Sequence, residues 1–183
     1  MGSPSVPSCR RLALLLALGS ALGAPGSAAA AGPVACQSAE ARPAQVSERV
    51  VVRSTLCLLN AERRQHGLRA LRLNERLSRA ARRHSQDMAR NHYFDHTSRS
   101  GASFVDRIRR TGYLTGARRW KVAENIAWGT EWLASPRAIM KAWMDSPGHR
   151  ANILDASYRE IGIGVAAKSG PRALYTTDFG ARG

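Results

Sequence analysis

The hydrophobic period changes along this chain, and that change limits the folds open to it. From Ser47 to His66 the apolar residues Val52, Leu56 and Leu59 recur at helical spacing, and Gly67 supplies a stop. Asn74 is a good N-cap for a second helix ending near His92, with Leu77, Ala81, His84 and Met88 on one face. Phe104 and Ile108 before Gly112 mark a short helix. Ser135-Pro136 reads as the N-cap and first residue of another, broken at Pro147-Gly148. Beyond Glu160 the period falls to two. Ile161, Ile163 and Val165 share a side, Lys168-Ser169-Gly170-Pro171 supplies a turn, and Ala173 to Phe179 returns as the antiparallel partner. Helices first and a hairpin last predict α+β layering. Tyr113 to Gly129 alternates irregularly and receives no element.

The N-terminus predicts the compartment. Arg10 and Arg11 precede an apolar run, Leu12 to Leu22, and Ser27-Ala28-Ala29-Ala30-Ala31 offers A-x-A cleavage frames, the pattern of a secretory signal peptide over residues 1–31. The run is shorter than the roughly 20 apolar residues that span a bilayer. The adjacent arginines also allow the twin-arginine route. Residues 32–46, rich in Ala, Gly, Pro and Ser, read as an extended arm before a domain over 47–183. Cleavage removes Cys9 and leaves Cys36 and Cys57, an even pair in an oxidising compartment, which predicts a disulfide from the arm to the first helix. A lipidated Cys36 is disfavoured, because it lies far beyond the apolar run and Pro33-Val34-Ala35 lacks the usual leucine.

Charge narrows the partners. Cleavage takes two arginines from a formal charge of +15 and leaves +13. The cations fall in clusters, among them Arg63-Arg64, Arg82-Arg83 and Arg107, Arg109 and Arg110. As solvated faces these would draw the protein to anionic envelope polymers or lipid headgroups. An export signal without a nucleic-acid module argues against nucleic acid.

Three segments carry candidate chemistry: Tyr93-Phe94-Asp95-His96, Ala123-Glu124-Asn125-Ile126-Ala127, and Trp143 through Leu154 with Asp145, Ser146-Pro147-Gly148-His149-Arg150 and Asn152. Each sets an ionisable side chain beside residues able to wall a cleft. His96 lies in a polar loop off any apolar stripe, so it serves either a ligand or a loop-fixing hydrogen bond. Glu124, among apolar neighbours, is either half of a His-Glu pair or a structural carboxylate. His149 would adjoin Asn152 on a short helix, and with His96 would supply imidazoles suited to zinc. His92 and His96 lie four apart, but Tyr93 stands where a zinc protease needs Glu. His84 packs in its helix, and His66 meets the carbonyls ending the first.

From about Val52 to Phe179 these motifs resemble the bacterial branch of the CAP superfamily, the SCP domain of cysteine-rich secretory proteins, venom antigens and pathogenesis-related proteins. The resemblance implies a three-layer α-β-α sandwich with a central cleft of two histidines and two acidic residues able to hold zinc or another divalent cation. His96 and Glu124 match its first histidine and its Glu-Asn motif. Asp145-Ser146 and Leu174-Tyr175-Thr176-Thr177 stand where the other glutamate and histidine would be. Ser146 to Arg150 matches the bacterial Ser-Pro-Gly-His-Arg, making His149 the second imidazole and Asp145 the candidate second carboxylate.

The expected function is a secreted, non-enzymatic binding module with a His96-Glu124-His149 cleft for a cation or small ligand and a basic envelope-binding surface. One alternative is a metal-dependent hydrolase of peptides or cell-wall fragments, with Glu124 as base. That role leaves two convincing ligands where a catalytic zinc usually has three. The other is a vestigial cleft with function in the cationic surface of Arg107, Arg109 and Arg110.

Overall fold

The computed structural model describes residues 1–2, 36–167 and 172–183. The signal-peptide assignment and the turn at 168–171 lie outside the described residues. Among those described, no helix is long and apolar enough to cross a membrane.

Helix α1 (Glu48–Gln65) leads through the two-residue strand β1 (Arg72–Leu73) to α2 (Glu75–Arg90) and α3 (Phe104–Arg110). Strand β2 (Trp120–Thr130) and a 3-10 turn (Glu131–Ala134) then precede α4 (Pro136–Asp145) and α5 (Pro147–Leu154). The chain closes with β3 (Glu160–Ala167) and β4 (Arg172–Arg182). The helix starts are chemically specified. The Asn74 side chain accepts from the amides of Arg76 and Leu77, and Ser103 and Asp106 form a reciprocal capping box. Ser135 accepts from the Ala138 amide, with Pro136 opening α4.

The sheet runs β1-β3-β4-β2, with β1 parallel to β3 and the other pairs antiparallel. Period two divides its faces. Ile161, Ile163 and Val165 of β3, with Ala173, Tyr175 and Phe179 of β4, join Leu59 of α1, Trp143 of α4 and Ile153 of α5 in the main core. The alternate residues meet α2 and α3: Leu174 and Ile126 pack on Met88, and Val122 packs against Leu77 and Ile108. This is the α-β-α sandwich.

Four sequence expectations change. The chain from Cys36 is no extended arm: Cys36, Ala39 and Pro43 are buried, residues Pro43–Gln45 form a 3-10 turn, and the Arg137 amide donates to the Ala39 carbonyl at 2.9 Å. The Cys36–Cys57 disulfide ties this segment to α1. By closing a loop of about twenty residues it restricts the unfolded chain and contributes about 3 kcal/mol. The region around Glu124 is strand β2, not an irregular loop. Arg63 is fully buried instead of belonging to a solvated face. It donates to the carbonyls of Arg69, Ile153 and Asp155, binding α1 to the end of α5. Arg107 is the second buried member of a basic cluster.

Candidate functional site

Strand β2 sets Glu124 on the face toward α2 and α3, where its side chain is 1% exposed. A lone carboxylate there would be costly, and the chain surrounds it with donors. His96, from the loop between α2 and α3, brings Nδ1 to 2.8 Å from Glu124 Oε1. Arg107, from α3, donates through Nη2 to Oε2 at 2.6 Å. The same guanidinium donates through Nη1 to the carbonyls of His96 and Ala102 and to Ser98 Oγ, so it fixes the His96 loop as well as the carboxylate. It was expected to be a surface-binding cation beside Arg109 and Arg110. Its side chain is only 8% exposed, because α3 turns it inward, whereas Arg109 and Arg110 remain exposed.

Directly across the strand pair from Glu124 lies Asp178 of β4, also buried. Burial and the adjacent Glu124 charge push the Asp178 carboxyl well above the usual carboxylate range. Neither Asp178 oxygen meets an N–H or O–H donor among the described residues. In its protonated form Asp178 is itself the donor, toward the Glu124 carboxylate. Sequence reading missed Asp178. The signal was a polar residue in a strand covered on both faces, visible only once β2 is recognised as its partner.

His149 lies past the end of α4, in the short helix α5 just after its opening Pro147. Asn152, one turn along, donates to Asn125 Oδ1 at 2.8 Å, and Asn125 donates to the His149 carbonyl at 3.1 Å. This network pins α5 to β2. Asp145 does not enter the cleft: the end of α4 turns it outward, where it is exposed and pairs with Lys141 one turn back at 2.6 Å.

The expected metal donors do not assemble. Among the described residues no group of three or more His, Cys, Asp or Glu is placed to hold a metal ion. The Arg107 guanidinium already sits 2.6 Å from Glu124 Oε2, so a cation held by the His96-Glu124-His149 set would share that carboxylate with a buried positive charge, a poor fit for zinc.

The histidines should titrate on opposite sides of the ordinary value near 6.5. The Glu124 hydrogen bond, only partly offset by burial, raises His96. Burial, followed by the His96 charge, lowers His149. Proton NMR titration should therefore show His96 keeping its proton to higher pH than His149, and His96→Ala should bring His149 back up. The reverse order would contradict the pairing. Because the folded value of His96 is raised, its contribution to stability is complete below about pH 6.5 and fades as pH rises through the folded value. With the side chain 50% exposed, solvent screening keeps that contribution small.

The model of the cysteine-rich secretory protein family, CAP, matches residues 56–179. The chain belongs to that family. It is 41% identical over 124 residues to the uncharacterized protein YkwD of Bacillus subtilis strain 168, covering 67% of this chain and 44% of that protein. It is 34% identical over 124 residues to the uncharacterized membrane protein YlbC of the same strain, covering 68% and 32%. The chain thus spans less than half the length of these CAP relatives. A solved extracellular protein containing an SCP domain, from Bacillus anthracis str. Ames, superposes with a TM-score of 0.59 at 28% identity, over 73% of this chain and 43% of that one. An outer surface protein of Borrelia burgdorferi superposes at 0.65 and 18% identity, over 75% and 97%, which shows the shared CAP fold alone.

Proposed function

We propose that this CAP-domain protein is a secreted, non-enzymatic binding module of the cell envelope, with its polar core holding a half-exposed His96 at the edge of a small-ligand cleft. The observation that carries the reading is the engagement of Glu124. With Oε1 on His96 and Oε2 on Arg107, its buried carboxylate is committed to holding the His96 loop and α3 together rather than presented to a substrate. Such a closed network orders a surface rather than turning over a substrate. The extracellular description of the Bacillus anthracis relative, the membrane description of YlbC and the basic composition support an envelope setting.

The test is sedimentation of the mature protein with isolated cell envelopes over a salt series. Co-sedimentation that falls steeply with salt, without release of soluble peptide or glycan fragments, is expected. Fragment release abolished by His96→Ala would overturn the reading in favour of a hydrolase.

A further inference from the structure

A cleft of about 470 Å³ opens beside the Glu124 network, between α2 and the loop leading to α3. Its walls are cationic. Arg83 and Arg90 project from α2 and Arg110 from the end of α3, all three exposed. None of them has an ion-pair or side-chain hydrogen-bond partner among the described residues. The acid in the wall is Asp87, whose carboxylate already accepts from Tyr93 Oη and Asn91 Nδ2. Three arginines against one carboxylate leave two uncompensated positive charges. Arg107 also lines the cleft, but Glu124 neutralises it.

Two buried side chains beside the cleft carry unpartnered polar atoms. The Nε of Arg107 and the Nδ1 of His84 have no partner among the described residues, and both residues line this cleft. His84 is fully buried, and burial lowers its proton affinity, so the ring is neutral. Its Nε2 lies 2.9 Å from the Asp95 carbonyl and must donate there. That fixes the tautomer and leaves Nδ1 as an unpaired acceptor beneath the cleft wall, out of contact with solvent.

Deepening the binding-module reading, on which it rests, we infer that this cleft takes a polyol phosphate. The phosphomonoester dianion sits among Arg83, Arg90 and Arg110. A dianion balances the two excess charges, where a single carboxylate would leave one unmatched. Three oxygens on one phosphorus also suit guanidinium groups arriving from two helices, two from α2 and one from α3. Ser98 and Ser100 add hydroxyls at the wall for the rest of the polyol.

The experiment is calorimetric titration of the mature protein with glycerol 3-phosphate, methyl phosphate and inorganic phosphate. Parallel flotation uses phosphatidylcholine vesicles carrying phosphatidic acid. Glycerol 3-phosphate should bind most tightly, and Arg83→Gln and Arg110→Gln should each weaken it about tenfold. Both arginines are exposed and hold nothing else among the described residues, so unchanged melting will show that the variants fold. Equal affinity for methyl phosphate and glycerol 3-phosphate would overturn the polyol contact. Absence of binding, binding indifferent to both variants, or capture by the vesicles alone would overturn the cleft assignment. Glycerol 3-phosphate binding without envelope sedimentation would keep the cleft and remove the envelope reading. Sedimentation unchanged in both variants would keep the envelope reading and remove the cleft.

Discussion

Replacing Arg107 with Met should destabilise the protein by about 3–5 kcal/mol, the usual consequence of removing one partner from a buried ion pair. The guanidinium holds Glu124 Oε2 at 2.6 Å and three acceptors around the His96 loop. Its loss leaves a buried carboxylate beside the Asp178 carboxyl with no cation between the strands and α3. A methionine fills similar volume, so the penalty reads the lost charge and hydrogen bonds more than a cavity. The measurement is urea unfolding, in which the midpoint should fall while the slope holds. Arg109→Met is the internal comparison. Arg109 is exposed and, among the described residues, pairs only with Asp106 three residues away, so its change should stay within about 0.5 kcal/mol. Equal effects at the two positions would show that Arg107 is a surface cation after all. An envelope-binding defect in an Arg107 variant is therefore open to a structural explanation, and tests of the basic surface belong to Arg109 and Arg110.

A methyl group at Gly162 or Gly164 should be about as damaging. Both glycines lie on the β3 face toward α2, and the helix approaches so closely that a Cβ at 162 would collide with the backbone of Leu77 and Ser78. At 164 it would meet the backbone of Ala81 and Arg82. Backbone cannot swing aside as a side chain does, so α2 must move off the sheet. We expect about 3 kcal/mol or more for each substitution, at the upper end of overpacking effects. The displaced helix carries Ser85, which donates to the Gly164 carbonyl at 3.0 Å and to Thr176 at 2.8 Å, and these bonds should lengthen with it. Gly148→Ala is the contrasting variant. Nothing lies within 4 Å of a Cβ there and the residue is helical, so the change should be neutral or stabilising by up to about 1 kcal/mol. Thermal melts of the three variants check the order.

Much of the architecture was legible because local chemistry and hydrophobic period agree over long stretches. Asn74 and Ser135-Pro136 announce helix starts through side chains that suit a helix end. Ile161, Ile163 and Val165 announce β3 because one face of that strand meets a continuous apolar core. Strand β2 escaped for the opposite reason. Helices cover parts of both its faces, so Glu124 and Asn125 are consecutive buried polar residues and the apolar-polar alternation is lost. The two-residue β1 is too short to leave any pattern.

The sequence by itself determined the α+β class, most of the helices, the family motifs and the cysteine pair, since each depends on neighbours within a few turns or on simple composition. Only the tertiary structure decided what the ionisable residues do. It turned Arg63 and Arg107 inward and sent Asp145 out to Lys141. It also set Asp178 opposite Glu124 and closed that carboxylate against His96. Those outcomes depend on burial and on partners 17 to 54 residues away along the chain for Glu124, where the low interior polarisability, not residue type, decides which charge survives and which proton stays.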